Sequence, residues 1–155
     1  MTKGRLLVVA LSLSAAGFIG LVQHEGYSDR AIIPVPGDVP TIGFGTTGGV
    51  EMGQTTTPVK ALQRALVDVQ AFEGAIKQCV TVPLHQNEYD AYVSLTYNIG
   101  PNAFCSSTLV RKLNAGDYVG ACKEILRWDK FKGQALRGLT LRRQKEHAQC
   151  MEGQS

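Results

Sequence analysis

The chain has 155 residues, of which 44% are hydrophobic and 19% charged, and it carries a net charge of +3. That is enough for one domain with a genuine core, and the composition lacks the polar low-complexity tracts of disorder. Lys and Arg are scattered instead of massed with aromatic residues, which argues against nucleic acid as a partner.

Lys3 and Arg5 precede an uncharged run from Leu6 to Val22, and the next charged side chain is Glu25. Positive residues before an apolar stretch have the form of an export signal, with the N-terminus left on the cytoplasmic side. As a membrane span the run is short, and Ser12, Ser14, Gly17 and Gly20 dilute it. Three readings follow: an uncleaved segment that inserts and later leaves the bilayer, a signal cleaved after Ala16, or a core helix of a cytosolic protein. Residues 1–22 are taken as the export segment and residues 23–155 as the folded domain.

Behind Glu25 the stretch "GYSDRAIIPVPGDVPTIGFGTTGGVEMGQTTT" is rich in Gly, Pro and Thr, which predicts turn-laden hairpin structure. From Pro58 the pattern changes. Val59, Leu62, Leu66, Val69, Phe72 and Ile76 recur at spacings of three and four, with Thr57 as N-cap, and predict a long helix over residues 58–79. A second helix is expected over residues 87–99, closed by Gly100 and Pro101. "SSTLVRKLNAG" begins with a Ser cap, "DYVGACKEILRW" with an Asp cap, and "LTLRRQKEHAQCM" is expected to be a last helix capped by Thr140. The fold class is therefore α+β, mostly helical with a small β region near the front.

Cys79, Cys105, Cys122 and Cys150 show neither CxxC nor Cys/His spacing, so no metal is expected and no cofactor motif is present. In an oxidising compartment they would form two disulfides, by any of three pairings.

"HEG", then "GDVPTIGFGTT", then "LHQNEYDAYVSLTYNIGPNAFCSSTLVRKLNAGDY", "RW" and "GLTLRRQKE" occur in that order. Together they resemble the phage endolysins of glycoside hydrolase family 24, the phage-type lysozymes, over nearly the whole chain beyond residue 23. The N-terminus further resembles the signal-arrest-release subset, whose uncleaved segment tethers the enzyme inactive in the inner membrane and then slips out. The resemblance implies a lysozyme-like fold and hydrolysis of the β-1,4 bond between N-acetylmuramic acid and N-acetylglucosamine in peptidoglycan. It also implies attachment to the host inner membrane through residues 6–22, later release to the periplasm, and action as a monomer.

Such chemistry needs one carboxylic acid to protonate the leaving oxygen and a second group to activate or position water. Glu25 matches the family's acid in its Glu-Gly motif, and Thr41, in "TIGFG", matches the Thr that hydrogen-bonds the attacking water. The second carboxylate departs from the pattern. The family commonly has an Asp nine residues after the Glu and six before the Thr, where this chain has Pro34 and Val35. The local candidates are Asp38 and Asp29, and Asp38 is favoured, although a turn Asp often bonds only its own backbone. That departure keeps two alternatives open: a lytic transglycosylase working with Glu25 alone, and an inactive peptidoglycan-binding module.

Gly43 and Gly45 are candidates for close approach of the glycan, although turn geometry explains them equally well. Gln86 and Asn98 line the cleft by analogy with the family, whereas Tyr89 and Phe104 are expected in the core and Arg142 and Arg143 to pair within the helical part. From their places on the expected helices, Cys79 is paired with Cys105 and Cys122 with Cys150. Bonds closing loops of that length contribute roughly 3 kcal/mol each by loop-closure entropy.

Overall fold

A computed structural model describes residues 4–154 and divides the chain into two compact units. One is Phe18–Ala71; the other takes the chain up to Gly17 and again from Phe72 onward.

The Phe18–Ala71 unit holds the hairpin. Strand β1, Ser28–Ile32, pairs antiparallel with β2, Thr41–Gly43, matching Ser28 to Gly43 and Ile32 to Thr41. Four residue steps on β1 thus face two on β2, so the ladder bulges and bends β1. On its other side β1 bonds the 54–56 segment: the Ala31 N–H donates to the Gln54 carbonyl at 2.9 Å and the Thr56 N–H to that of Asp29 at 2.8 Å. Ala31, Ile42 and Val50 close a small buried cluster beneath these strands.

Helix α1, Ala15–Glu25, and helix α2, Pro58–Cys79, each belong partly to both units. α2 has the expected bounds, and the Thr57 hydroxyl accepts from the Lys60 N–H at 3.4 Å, as an N-cap should.

In the other unit, α3 (Gln86–Ile99) is buried continuously from Glu88 to Tyr97 and packs against α7 (Arg137–Met151). Between them lie α4 (Pro101–Cys105), α5 (Thr108–Asn114), α6 (Tyr118–Glu124) and a short antiparallel pair, β3 (Lys130–Phe131) and β4 (Gln134–Ala135). Ser107 and Asp117 cap α5 and α6 as expected, accepting from the Val110 and Gly120 N–H groups. Cys79 is bonded to Cys105 and Cys122 to Cys150, with Cα atoms 5.6 and 5.7 Å apart, the pairing expected. Tyr89 and Phe104 are fully buried.

Three expectations change. Pro101 does not merely close α3; it opens α4, because its fixed φ suits a first helical position and its missing N–H is not needed there. Thr140 does not cap α7, which starts three residues earlier as the chain leaves β4; its hydroxyl instead donates to the Leu136 carbonyl at 3.1 Å and to Asp129 at 3.2 Å. The β3–β4 hairpin was not expected: Lys132 and Gly133 both take positive φ, 49° and 80°, the two-residue turn that usually announces itself as Asn-Gly.

The apolar run is not one piece either. Leu6 pairs with Leu84 through two backbone bonds of 2.8 Å, Val8–Ala10 form a single 3-10 turn, and the helix begins only at Ala15. Among the described residues, no helix is long and apolar enough to cross a membrane. Val8 and Leu11 are buried, while Leu6, Leu7 and Val9 stay more than half exposed.

Candidate active site

Glu25 is the last residue of α1, and it is half-buried. The structure sets it against the tight turn that follows β2. There Ile42 and Thr46 exchange two backbone bonds of 3.0 and 3.1 Å, which folds Gly43, Phe44 and Gly45 into a narrow loop. A β-carbon built on Gly45 would lie 2.6 Å from one Glu25 carboxylate oxygen and 3.1 Å from the carboxyl carbon. The bare backbone of Gly45 therefore forms one wall of the seat for the Glu25 side chain. Its φ of +77° independently favours glycine.

Gly43 serves the same turn differently. Its φ is +64°, and a β-carbon there would lie 2.9 Å from that of Ala61 on α2. Helix packing already fills the space that suggested glycan approach. Thr46, buried behind the turn, donates from its hydroxyl to Asp68 of α2 at 2.9 Å, and Arg64 donates to the Gly48 carbonyl at 2.8 Å. Thr46 was not singled out from sequence; its adjacency to "TIGFG" was the only signal.

Thr41 opens β2, and its hydroxyl donates to the Val39 carbonyl at 3.2 Å. Asp38 lies in the turn between the strands. Its N–H donates to the Val35 carbonyl at 3.0 Å, and its carboxylate accepts from the Val39 N–H at 2.8 Å. That single bond occupies one lone pair of one oxygen and leaves acceptor capacity on both. Asp29, the rival carboxylate, lies on β1 with its side chain 63% exposed and paired to the still more exposed Arg30. Glu25, Asp38, Thr41, Gly43 and Gly45 thus all lie in the Phe18–Ala71 unit, on one helix end and one hairpin.

Gln86 and Asn98 belong to the other unit, at opposite ends of α3. The Gln86 amide donates to the Ser12 carbonyl and to Asp90, each at 2.8 Å, so it braces the chain that leads into α1. Asn98 is exposed, and its carbonyl oxygen accepts from Arg143. Among the described residues no group of His, Cys, Asp and Glu is arranged to hold a metal ion.

Residues 22–146 match the phage lysozyme family. Among curated proteins, the chain is 38% identical over 145 residues to a SAR-endolysin of Pseudomonas phage phiKMV, covering 91% of this chain and 89% of that protein. It is 37% identical over 142 residues to an endolysin of Acyrthosiphon pisum secondary endosymbiont phage 1, covering 89% and 97%. Among solved structures, an endolysin from Escherichia coli O157:H7 phage FAHEc1 superposes with a TM-score of 0.81 at 35% identity, covering 92% of this chain and 95% of that one.

Proposed function

The chain belongs to the phage lysozyme family, and from that premise we propose how its residues divide the work of a peptidoglycan-degrading endolysin of the muramidase type. Glu25 is the general acid that protonates the glycosidic oxygen as the bond to the muramic acid carbon breaks. Asp38 accepts a proton from the attacking water, Thr41 orients that water, and the new hydroxyl on the anomeric carbon completes hydrolysis. The observation that carries this reading is the seat of the Glu25 carboxylate on the Gly45 backbone, since it ties the acid to the hairpin bearing the other two groups.

Asp38→Asn is the discriminating substitution, because the amide oxygen still accepts from the Val39 N–H and the turn survives. Release of reducing ends from purified peptidoglycan, read by mass spectrometry, is expected to fall by roughly 100-fold. Undiminished release would leave Asp38 a turn residue and remove it from the mechanism.

The proposal extends to the N-terminus. Residues 6–22 first hold the protein in the host inner membrane, facing the periplasm, and then leave it uncleaved, so that residues 23–155 act as a periplasmic monomer. Two observations support this: relatives named SAR-endolysins, and the partners that residues 5–14 find once folded. Arg5 donates to Glu88 at 2.8 Å, the Leu13 N–H to Glu73 at 2.6 Å, and the N–H of Ser14 to Asp90 at 3.1 Å. All three carboxylates are buried, and the side-chain hydrogen bond to Glu88 raises the Arg5 pKa, so the Arg5–Glu88 ion pair persists. With the segment in lipid the three acids would lack these donors, and pairing them is a gain that draws the segment out. Mass spectrometry of the released protein should then show an intact Met1 end. A start at Gly17 would mean cleavage, loss of Leu13 and Ser14, and failure of this part of the proposal.

A further inference from the structure

We propose that the exposed side of α2 over residues 58–71 is a contact surface for an anionic phospholipid bilayer, the periplasmic leaflet through which residues 6–22 pass; the choice of that occupant rests on the reading of residues 6–22 as the membrane segment. Of the apolar residues whose spacing announces α2, only some are buried. Val69 and Ile76 are, but toward the start of the helix the inward contacts belong to Ala61 and Ala65, while Val59, Leu62, Leu66 and Val67 are 38% to 66% exposed. Val59, Leu62 and Leu66 lie three and four residues apart and so line one stripe of the helix; Lys60, Arg64 and Val67, four and three apart, line the stripe beside it. Water thus meets an apolar strip edged on one side by two cations.

The charge on this side is of one sign. Asp68, the one acid in residues 58–71, turns inward, where its carboxylate accepts from the buried Thr46 hydroxyl at 2.9 Å. Arg64 donates to the Gly48 carbonyl at 2.8 Å, a neutral partner that leaves its charge. Positive charge along an apolar strip is the form of a helix that lies in the plane of an anionic bilayer, the strip reaching the acyl boundary and the cations the headgroup phosphates. A protein-binding face would carry aromatic anchors, and residues 58–71 hold none. Position agrees with charge. Phe18–Ala71 form one compact unit whose first residues, up to Val22, end the apolar run, so a chain held in the membrane by that run keeps α2 within reach of the bilayer surface. Gln63 and Gln70, also exposed, dilute the strip and keep the binding reversible.

Co-sedimentation of the folded full-length chain with phosphatidylethanolamine vesicles doped with phosphatidylglycerol tests this. The wild type is expected to bind, and added salt to weaken it. Val59→Gln combined with Leu66→Gln removes the strip while keeping helix propensity, and should lower vesicle affinity by roughly tenfold or more. Its initial rates on soluble peptidoglycan fragments should stay at wild type, because neither side chain is part of the core. Lys60→Gln leaves every apolar contact in place; it should lower affinity several-fold and flatten the salt dependence, and it decides the matter if the double substitution fails to fold. A wild type that does not bind would overturn the proposal, as would variants that all bind like wild type, since the membrane affinity would then belong to the export segment. Binding as tight without phosphatidylglycerol would overturn it too. Loss of binding to purified peptidoglycan by the same variants, with vesicle binding intact, would make the face a glycan contact instead. Because the readout is on folded protein, a chain found to start at Gly17 would end the reading of release without cleavage and leave the vesicle result to decide α2 alone.

Discussion

Glu25→Gln is expected to lower lysis of outer-membrane-permeabilised cells by about 1000-fold or more while leaving the thermal midpoint within a degree or two of wild type. Gln has the same shape and fits the same seat against Gly45, so the hairpin should not notice the change. What disappears is the proton that the leaving sugar oxygen needs, and a factor of that size corresponds to about 4 kcal/mol of transition-state stabilisation. Turbidity loss measured beside circular dichroism separates the two effects. Equal lysis by both proteins would remove Glu25 as the acid. Absence of lysis by either would point to the binding module that the missing family Asp made conceivable.

The parts of this fold that were legible in sequence are those held by local chemistry. α2 announced itself by apolar spacing and by the Thr57-Pro58 start, and α5 and α6 by their Ser107 and Asp117 caps. The cysteine pairs followed from where the helices had to end. What was illegible depends on partners far along the chain. Within residues 6–22 the start of the helix at Ala15 is marked locally by Ser14, whose hydroxyl accepts from the Gly17 N–H at 2.9 Å as an N-cap, but nothing there says what holds the preceding residues out of the helix. That break exists because the backbone at Leu13 and Ser14 turns to Glu73 and Asp90, which lie 60 and 76 residues on. Asn98 could be singled out by its motif, whereas its partner Arg143 lies 45 residues later. The candidate site shows the same division. Glu25 and Thr41 stood out through company in sequence, and the reason for Gly45 emerged only when its backbone was found against the Glu25 carboxylate.

That contact makes Gly45→Ala the sharpest probe of the site, and it is expected to cost activity far more than stability. A methyl group at position 45 would approach a Glu25 oxygen to 2.6 Å, which no real packing tolerates, and something must move. Two relaxations compete. The turn is pinned by paired backbone bonds between Ile42 and Thr46, whereas the carboxylate is the far end of a flexible side chain, so Glu25 swings away and the turn stays. The positive φ adds only about 1–2 kcal/mol of strain. A displaced acid, by contrast, loses the alignment that proton transfer requires, and a misplacement near 1 Å costs about 100-fold. Gly43→Ala supplies the contrast. Its β-carbon would meet the β-carbon of Ala61 at 2.9 Å and the Cα of the same residue at 3.4 Å, atoms fixed to the backbone of α2 that cannot swing aside. Gly43→Ala should therefore lower the thermal midpoint more than Gly45→Ala does, with the activity per folded molecule less affected. Thermal melts and initial lysis rates on the two variants decide the matter. Should Gly45→Ala lyse cells at the wild-type rate, the Gly45 backbone does not set the position of the acid, and the tie between Glu25 and its hairpin is lost.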